Sequence, residues 1–152
     1  MADQVRVSIE INATAETVYS MVSDLPRMGE WSPENDSATW LKGASSATIG
    51  ARFKGTNSHE SKRWSTTGTI IEATSPHVLA FRITAGFIKV AVWRYVIEET
   101  ASGCTVTETW IDERNRLAKA LGKPVSGIAD RAEHNRSSME STLAALKDAA
   151  EA

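Results

Sequence analysis

The residues with the most chemical potential in this 152-residue chain are a few carboxylates, histidines and aromatics in a chain that is otherwise rich in Thr, Val, Ile and Trp. In Cys104–Asp112, strand alternation groups Val106, Glu108, Trp110 and Asp112 against Thr105, Thr107, Thr109 and Ile111. The threonine row suits solvent, which turns Glu108 inward with Trp110. A carboxyl held inside an apolar wall could move protons, as could Tyr95, which shares a face with Ala91, Trp93 and Ile97. Glu108 and Tyr95 are therefore the catalytic candidates. The more common outcome for a strand glutamate is a different one: exposure at an edge, or a pair with an arginine such as Arg82 or Arg94. His59 with Glu60 could form an acid/base pair, although a solvated loop histidine is the commoner arrangement. Cys104, the only cysteine, follows Gly103 at a strand start and reads as a packed small residue.

The remaining signals are absences. His59, His77 and His134 are widely spaced, with no His-x-x-x-His or Cys-x-x-Cys pattern, so neither a metal nor another cofactor is expected. There is no Gly-x-Ser-x-Gly and no phosphate-binding glycine loop. Seventeen Lys and Arg against nineteen Asp and Glu leave a net charge of −2 and no basic patch, which argues against nucleic acid as a partner. No apolar run approaches the roughly 20 residues of a membrane span, so stable membrane insertion is not expected. With no secretory signal and one cysteine, a cytoplasmic address follows.

The elements that must position these residues fall into three parts. Val5, Val7, Ile9 and Ile11 alternate with polar residues as a half-buried first strand. Thr14 caps a helix whose apolar side is Val18, Tyr19, Met21, Val22 and Leu25, and Pro26 stops it. Arg27–Pro33 then reads as a second short helix or tight turn, with Arg27 and Glu30 close enough to pair. Strands follow near 37–41, 51–58, 64–74, 78–85, 89–98 and 104–112; their short connections make an antiparallel meander. The basic stretch Arg114–Lys123 reads as a plain crossover rather than a lid or an interaction surface. From Pro124 to about Ala149, Val125, Ile128, Ala129, Ala132, Met139, Leu143 and Leu146 recur at helical spacing, which predicts one long amphipathic helix with Pro124 in its first turn. Such a helix needs an apolar surface to cover, and one face of the sheet supplies it.

Five Trp are a high count; each could simply fill the core, but together with the inward polar candidates Asn57, Glu108 and Tyr95 the set suggests a lined cavity. The expected ligand-binding set is Phe53, Asn57, Trp64, Phe81, Trp93, Tyr95, Glu108 and Trp110 from the sheet, with Ile128, Ala132, Met139 and Leu143 from the helix. Ligand access is expected near the loop after Gly86 and the first turns of the long helix.

Several stretches carry a resemblance: Ala13–Tyr19, Asp24–Glu34, Ile49–Gly55, Trp93–Tyr95 and Gly103–Trp110. Over nearly the whole chain the sequence resembles the bacterial polyketide cyclase/dehydrase-like branch of the START, or SRPBCC, superfamily. The resemblance implies a single α+β domain over residues 1–152 with a helix-grip fold, in which a curved antiparallel sheet wraps around a long C-terminal helix and two short helices follow the first strand. It also implies a deep cavity for a small hydrophobic ligand, such as a lipid or an aromatic polyketide. Ring-hydroxylase relatives use an iron site whose ligands this sequence lacks. In such folds the tryptophan at the position of Trp31 anchors the short helices. Two functions are compatible with this: a carrier or sensor of such a ligand, or a cyclase/dehydratase that uses the same cavity. The sequence offers one inward acid and no partner base, which favours binding.

Overall fold

The computed structural model describes residues 3–152. Its frame is a seven-stranded antiparallel sheet: β1 (Gln4–Ile11), β2 (Asn35–Trp40), β3 (Arg52–His59), β4 (Lys62–Thr74), β5 (Val78–Ala85), β6 (Ile88–Thr100) and β7 (Gly103–Asp112). The spatial order is β1-β7-β6-β5-β4-β3-β2, so β2 through β7 form a meander and β1 joins its far edge beside β7. The strands expected from alternation are all present and lie within a few residues of their predicted bounds. The sheet is strongly curved but does not close on itself. Bulges at Asn35/Ser37, Ile70/Glu72 and Ile83/Thr84 supply local bends.

α1 (Ala15–Val22) is capped by Thr14, whose Oγ1 accepts from the Thr17 backbone N–H at 3.1 Å. It ends at Val22, one turn earlier than the apolar pattern suggested. Leu25 and Pro26 instead begin a 3-10 helix, Leu25–Glu30. Arg27 and Glu30 pair on its surface at 2.9 Å, and Trp31 is buried in the core with the Arg27 guanidinium 5.1 Å from its ring centroid. Trp31 thus belongs to the main core and is not part of the cavity wall described below.

The C-terminal region departs from expectation. Instead of one helix opening at Pro124, there are two: α2 (Arg116–Ser126), which contains Pro124 near its end, and α3 (Arg131–Glu151). The break has three local causes. Proline removes a backbone donor near the end of α2. Gly127 then takes φ +76°, a left-handed value that favours glycine. Asp130 starts α3 afresh by accepting from the Glu133 N–H at 3.1 Å. At the other end of α2, Asn115 Oδ1 accepts from the Ala118 N–H at 2.9 Å. Val125 is consequently half-exposed on α2, and Ala129 is exposed in the connection rather than part of a buried stripe.

The helices share one face of the sheet: α3 lies against β1 and β7, α1 against β5 and β6, the 3-10 helix against β2, and α2 near β4. The main core joins Val18, Val22 and Leu25 to Leu79, Ile97 and Val106 from the sheet and Leu143 and Leu146 from α3. One glycine within the sheet has a packing purpose. Gly68 pairs directly across from Phe53, and a Cβ at Gly68 would lie 2.1 Å from Cζ of the Phe53 ring. The ring therefore lies flat over bare backbone, making edge contacts with Trp40 and Phe81 at centroid distances of 5.9 and 5.4 Å. Gly68→Ala should displace Phe53 and cost about 1–3 kcal/mol, read by urea unfolding; an unchanged midpoint would show that the ring relocates freely.

Candidate ligand cavity

Between the sheet and the helices lies a cavity of about 320 Å3. Nine of the twelve residues expected to surround it from sequence do so: Phe53, Asn57, Trp64, Phe81, Trp93, Tyr95, Glu108, Trp110 and Met139. Three do not. Leu143 points into the main core, Ala132 packs beside Val5, Ala91, Trp110 and Met139, and Ile128 is buried in the connection between α2 and α3. The split of the predicted helix moves Ile128 out of α3 altogether.

Strand register explains how the wall is built. Phe81 pairs with Trp93, Trp93 with Trp110, and Tyr95 with Glu108, so successive strands place their inward residues side by side. Tyr95 and Glu108 are the last wall residues on β6 and β7 before the dry core of Ile97 and Val106, each at most 1% exposed.

Glu108 is buried, 3% exposed, and paired with neither Arg82 nor Arg94. Those arginines take Glu113 and Glu72 instead, on the outer side. The Tyr95 hydroxyl donates to Glu108 Oε2 at 2.9 Å, while Oε1 has no partner among the described residues. Burial pushes the Glu108 carboxyl up to about 8, opposed by the Tyr95 hydrogen bond, so the group is mainly protonated at neutral pH. Burial, and then the neighbouring Glu108 charge, push Tyr95 well above the ordinary phenol range. Tyr95 is thus a donor and a poor base. Cys104 is buried and its thiol is raised, first by burial and then by Glu16, which makes it an inert packing residue.

Besides Asn57, Tyr95 and Glu108 the cavity has polar wall residues that strand and helix patterns did not single out. Asn35 Nδ2 donates to Asn57 Oδ1 at 3.3 Å, and Asn57 Nδ2 to Thr66 Oγ1 at 3.3 Å; Asn35 Oδ1 is buried without a partner among the described residues. From α3, Arg131, Asn135, Ser138 and Thr142 form an inward polar stripe beside Met139. Their 4-3-4 spacing was visible in sequence, but polar residues at helical spacing ordinarily mark the solvent face. Arg131 donates to Glu34 at 2.7 Å and lies 5.8 Å from the Trp64 ring centroid.

Two expectations change here. His59 and His134, far apart in sequence, meet edge-to-face at 4.9 Å, and His134 Nε2 is 3.2 Å from Glu34 Oε1. His59 is thus partly covered rather than solvated. Burial lowers the His134 pKa, Glu34 opposes this, and Arg131 and His59 reinforce it. Among the described residues no group of three or more His, Cys, Asp or Glu is arranged to hold a metal. The segment expected as a plain crossover is α2, whose Ala118, Leu121, Gly122, Val125 and Ser126 line the cavity from one helix face. Its start is fixed by Arg114, which makes three hydrogen bonds of 2.9–3.0 Å to the buried Asp112 carboxylate. Burial raises the Asp112 pKa, but the Arg114 bonds outweigh it and hold the group below its usual value. Leu121 and Val125 are each 48% exposed, and Phe87, at the tip of the β5–β6 hairpin between wall residues Ala85 and Ile88, is fully exposed.

Comparison with known proteins fits this geometry. Residues 2–151 match the family described as polyketide cyclase / dehydrase and lipid transport. The chain belongs to that family. A search of curated proteins found no match. Among solved structures, the solution structure of the polyketide-cyclase-like protein Cgl2372 from Corynebacterium glutamicum is 26% identical, covering 97% of this chain and 90% of that one, with a TM-score of 0.63. The di-domain ARO/CYC protein BexL from the BE-7585A biosynthetic pathway is 20% identical at a TM-score of 0.73, covering 99% of this chain and 50% of BexL. Major latex-like protein 151 from Panax ginseng is 9% identical at a TM-score of 0.74, with 98% and 97% covered. At such identities the last two establish the shared helix-grip fold. No helix among the described residues is long and apolar enough to cross a membrane.

The Glu108 environment gives this polyketide cyclase/dehydrase-family chain a pH signature. A carboxyl with a raised folded-state pKa binds a proton that the unfolded chain releases above about pH 4.5, so its contribution is complete below that pH and lost as pH rises toward 8. Wild-type stability should therefore fall between pH 5 and 8 relative to Glu108→Gln, with a slope of at most about 1.4 kcal/mol per pH unit. Urea unfolding at several pH values measures the difference; parallel curves would show that Glu108 is ionised in the folded protein.

Proposed function

We propose that this protein binds a small hydrophobic or aromatic molecule, of lipid or polyketide-like character, in the internal cavity, and carries or senses it. The observation that carries this reading is the wall itself: Phe53, Trp64, Phe81, Trp93 and Trp110 surround a volume that the sheet and helices leave unfilled, with a few convergent polar groups among them. Family membership supports the same reading, since the family description joins lipid transport to cyclase and dehydrase activity. A single buried cysteine agrees with action in the reducing cytoplasm.

A second reading, a cyclase or dehydratase, draws on the buried Glu108 as an acid facing the cavity. It needs a partner base within reach. Among the described residues the hydrogen-bond partner of the Glu108 carboxyl is Tyr95, whose own pKa is raised. An acid without a base orients a ligand more readily than it turns one over, so binding is the preferred function.

The test uses the uncharged fluorophore N-phenyl-1-naphthylamine. Its emission should rise on titration and saturate near one-to-one. Thr66→Trp, which places an indole into the cavity from β4, should weaken binding about tenfold or more while the far-UV circular dichroism stays unchanged. Equal binding by a folded Thr66→Trp variant would place the probe elsewhere and count against the cavity as the site.

A further inference from the structure

The unpartnered oxygen of Glu108 narrows the chemistry of the ligand. Within the carboxyl, Oε2 is committed to the Tyr95 hydroxyl, which donates to it at 2.9 Å. Oε1 is buried with no partner among the described residues, in a residue that lines the cavity wall. An unsatisfied buried polar atom is costly, and the cavity that Glu108 lines is the nearest source of a partner for it. The walls nearest along β6 and β7 are indole rings, Trp93 and Trp110, paired directly across from each other. We infer that Glu108, held by Tyr95, presents Oε1 as a hydrogen-bond donor to a carbonyl-type oxygen on an uncharged aromatic ligand whose ring system lies against Trp93 and Trp110. This inference rests on the reading of the cavity as a ligand site.

Charge decides between a ligand ammonium and a ligand carbonyl at Oε1. A ligand ammonium would require the ionised carboxylate, whereas a carbonyl requires the protonated acid. The titratable and charged groups around the same cavity are Tyr95, Arg114, Arg131 and Glu34. Arg131 is paired with Glu34, and Arg114 with Asp112. With both arginine charges already paired to carboxylates, nothing here adds negative charge to hold a cation. The upward displacement of the Glu108 pKa has the same sense. The carboxyl therefore donates, and the ligand accepts.

Three probes of nearly one shape test this: 2-acetylnaphthalene, 2-ethylnaphthalene and 1-(2-naphthyl)ethylamine, titrated at pH 6.5 by quenching of tryptophan fluorescence. Wild type should bind the ketone about tenfold more tightly than the ethyl compound, the value of one buried hydrogen bond. Glu108→Gln, whose amide can accept from Tyr95 and still donate, should keep that preference; Glu108→Leu should lose it and bind both hydrocarbon-bodied probes alike. A wild type without preference, or a Glu108→Leu variant that retains it, overturns the inference while leaving hydrophobic binding intact. A preference for the amine overturns it in favour of an ionised Glu108. Failure of all three to bind removes the ligand-site reading along with it. Should Glu108→Leu not fold, the ranking of the three probes by wild type and Glu108→Gln still decides.

Discussion

Seven antiparallel strands expose one continuous apolar face, and a single helix is too narrow to cover it. Six inter-strand spacings of about 4.8 Å make a sheet about 29 Å across, whereas a helix with its side chains is about 10–12 Å wide. Curvature reduces the mismatch, and α1, the 3-10 helix and α2 each take part of the remainder. What none of them fills is the cavity. The site is thus a consequence of the layer geometry: at one end of the sheet Leu79, Ile97 and Val106 meet Leu143 and Leu146 of α3 in a dry core, while further along the same strands Phe81, Trp93, Tyr95, Glu108 and Trp110 face an unfilled space.

Polar groups within that space follow from the same geometry. In a solid core, an inward Glu108 or Asn35 would meet only hydrocarbon and cost several kcal/mol. Here the strands bring each a partial partner: Tyr95 for Glu108 through direct β6–β7 pairing, and Asn57 for Asn35 through β2–β3 pairing. Each keeps one oxygen unsatisfied. Satisfied halves fix the orientation of the side chains, and the unsatisfied halves belong to residues that line the cavity. Glycine contributes in a different way, since Gly68 makes room for the Phe53 ring that builds the wall on β3.

The α2–α3 region shows how charge and backbone conformation arrange access. Arg114 on Asp112 fixes the start of α2, and Arg131 on Glu34 ties the first turn of α3 to the segment before β2. Between these two anchors the backbone turns at Gly127, beside Lys62 and His59 of the β3–β4 hairpin. The amphipathic α2 lies over the cavity with Leu121 and Val125 half in solvent, because the face they would otherwise pack against is a void.

Alternation alone was enough to place every strand and to group Trp93 with Tyr95 and Glu108 with Trp110, because side-chain parity is a local property with a period of two. The sheet, the helix against it and most of the aromatic wall were legible for that reason, whereas the family was legible from the resemblance of short motifs such as Asp24–Glu34 and Ile49–Gly55. What sequence could not decide was set by contacts between distant segments. Whether Glu108 met an arginine or a tyrosine depended on which strand lay beside β7. His59 and His134 became neighbours only when the β3–β4 hairpin met α3, and the polar stripe from Arg131 to Thr142 turned inward only because the wall behind it was hollow. The split at Gly127 lay between the two kinds of information: proline, glycine and aspartate were all present in order, yet an apolar pattern continuous from Val125 to Leu146 concealed it. A hydrophobic period records which residues avoid water, and only the tertiary structure determines whether they do so against a core, a cavity or one another.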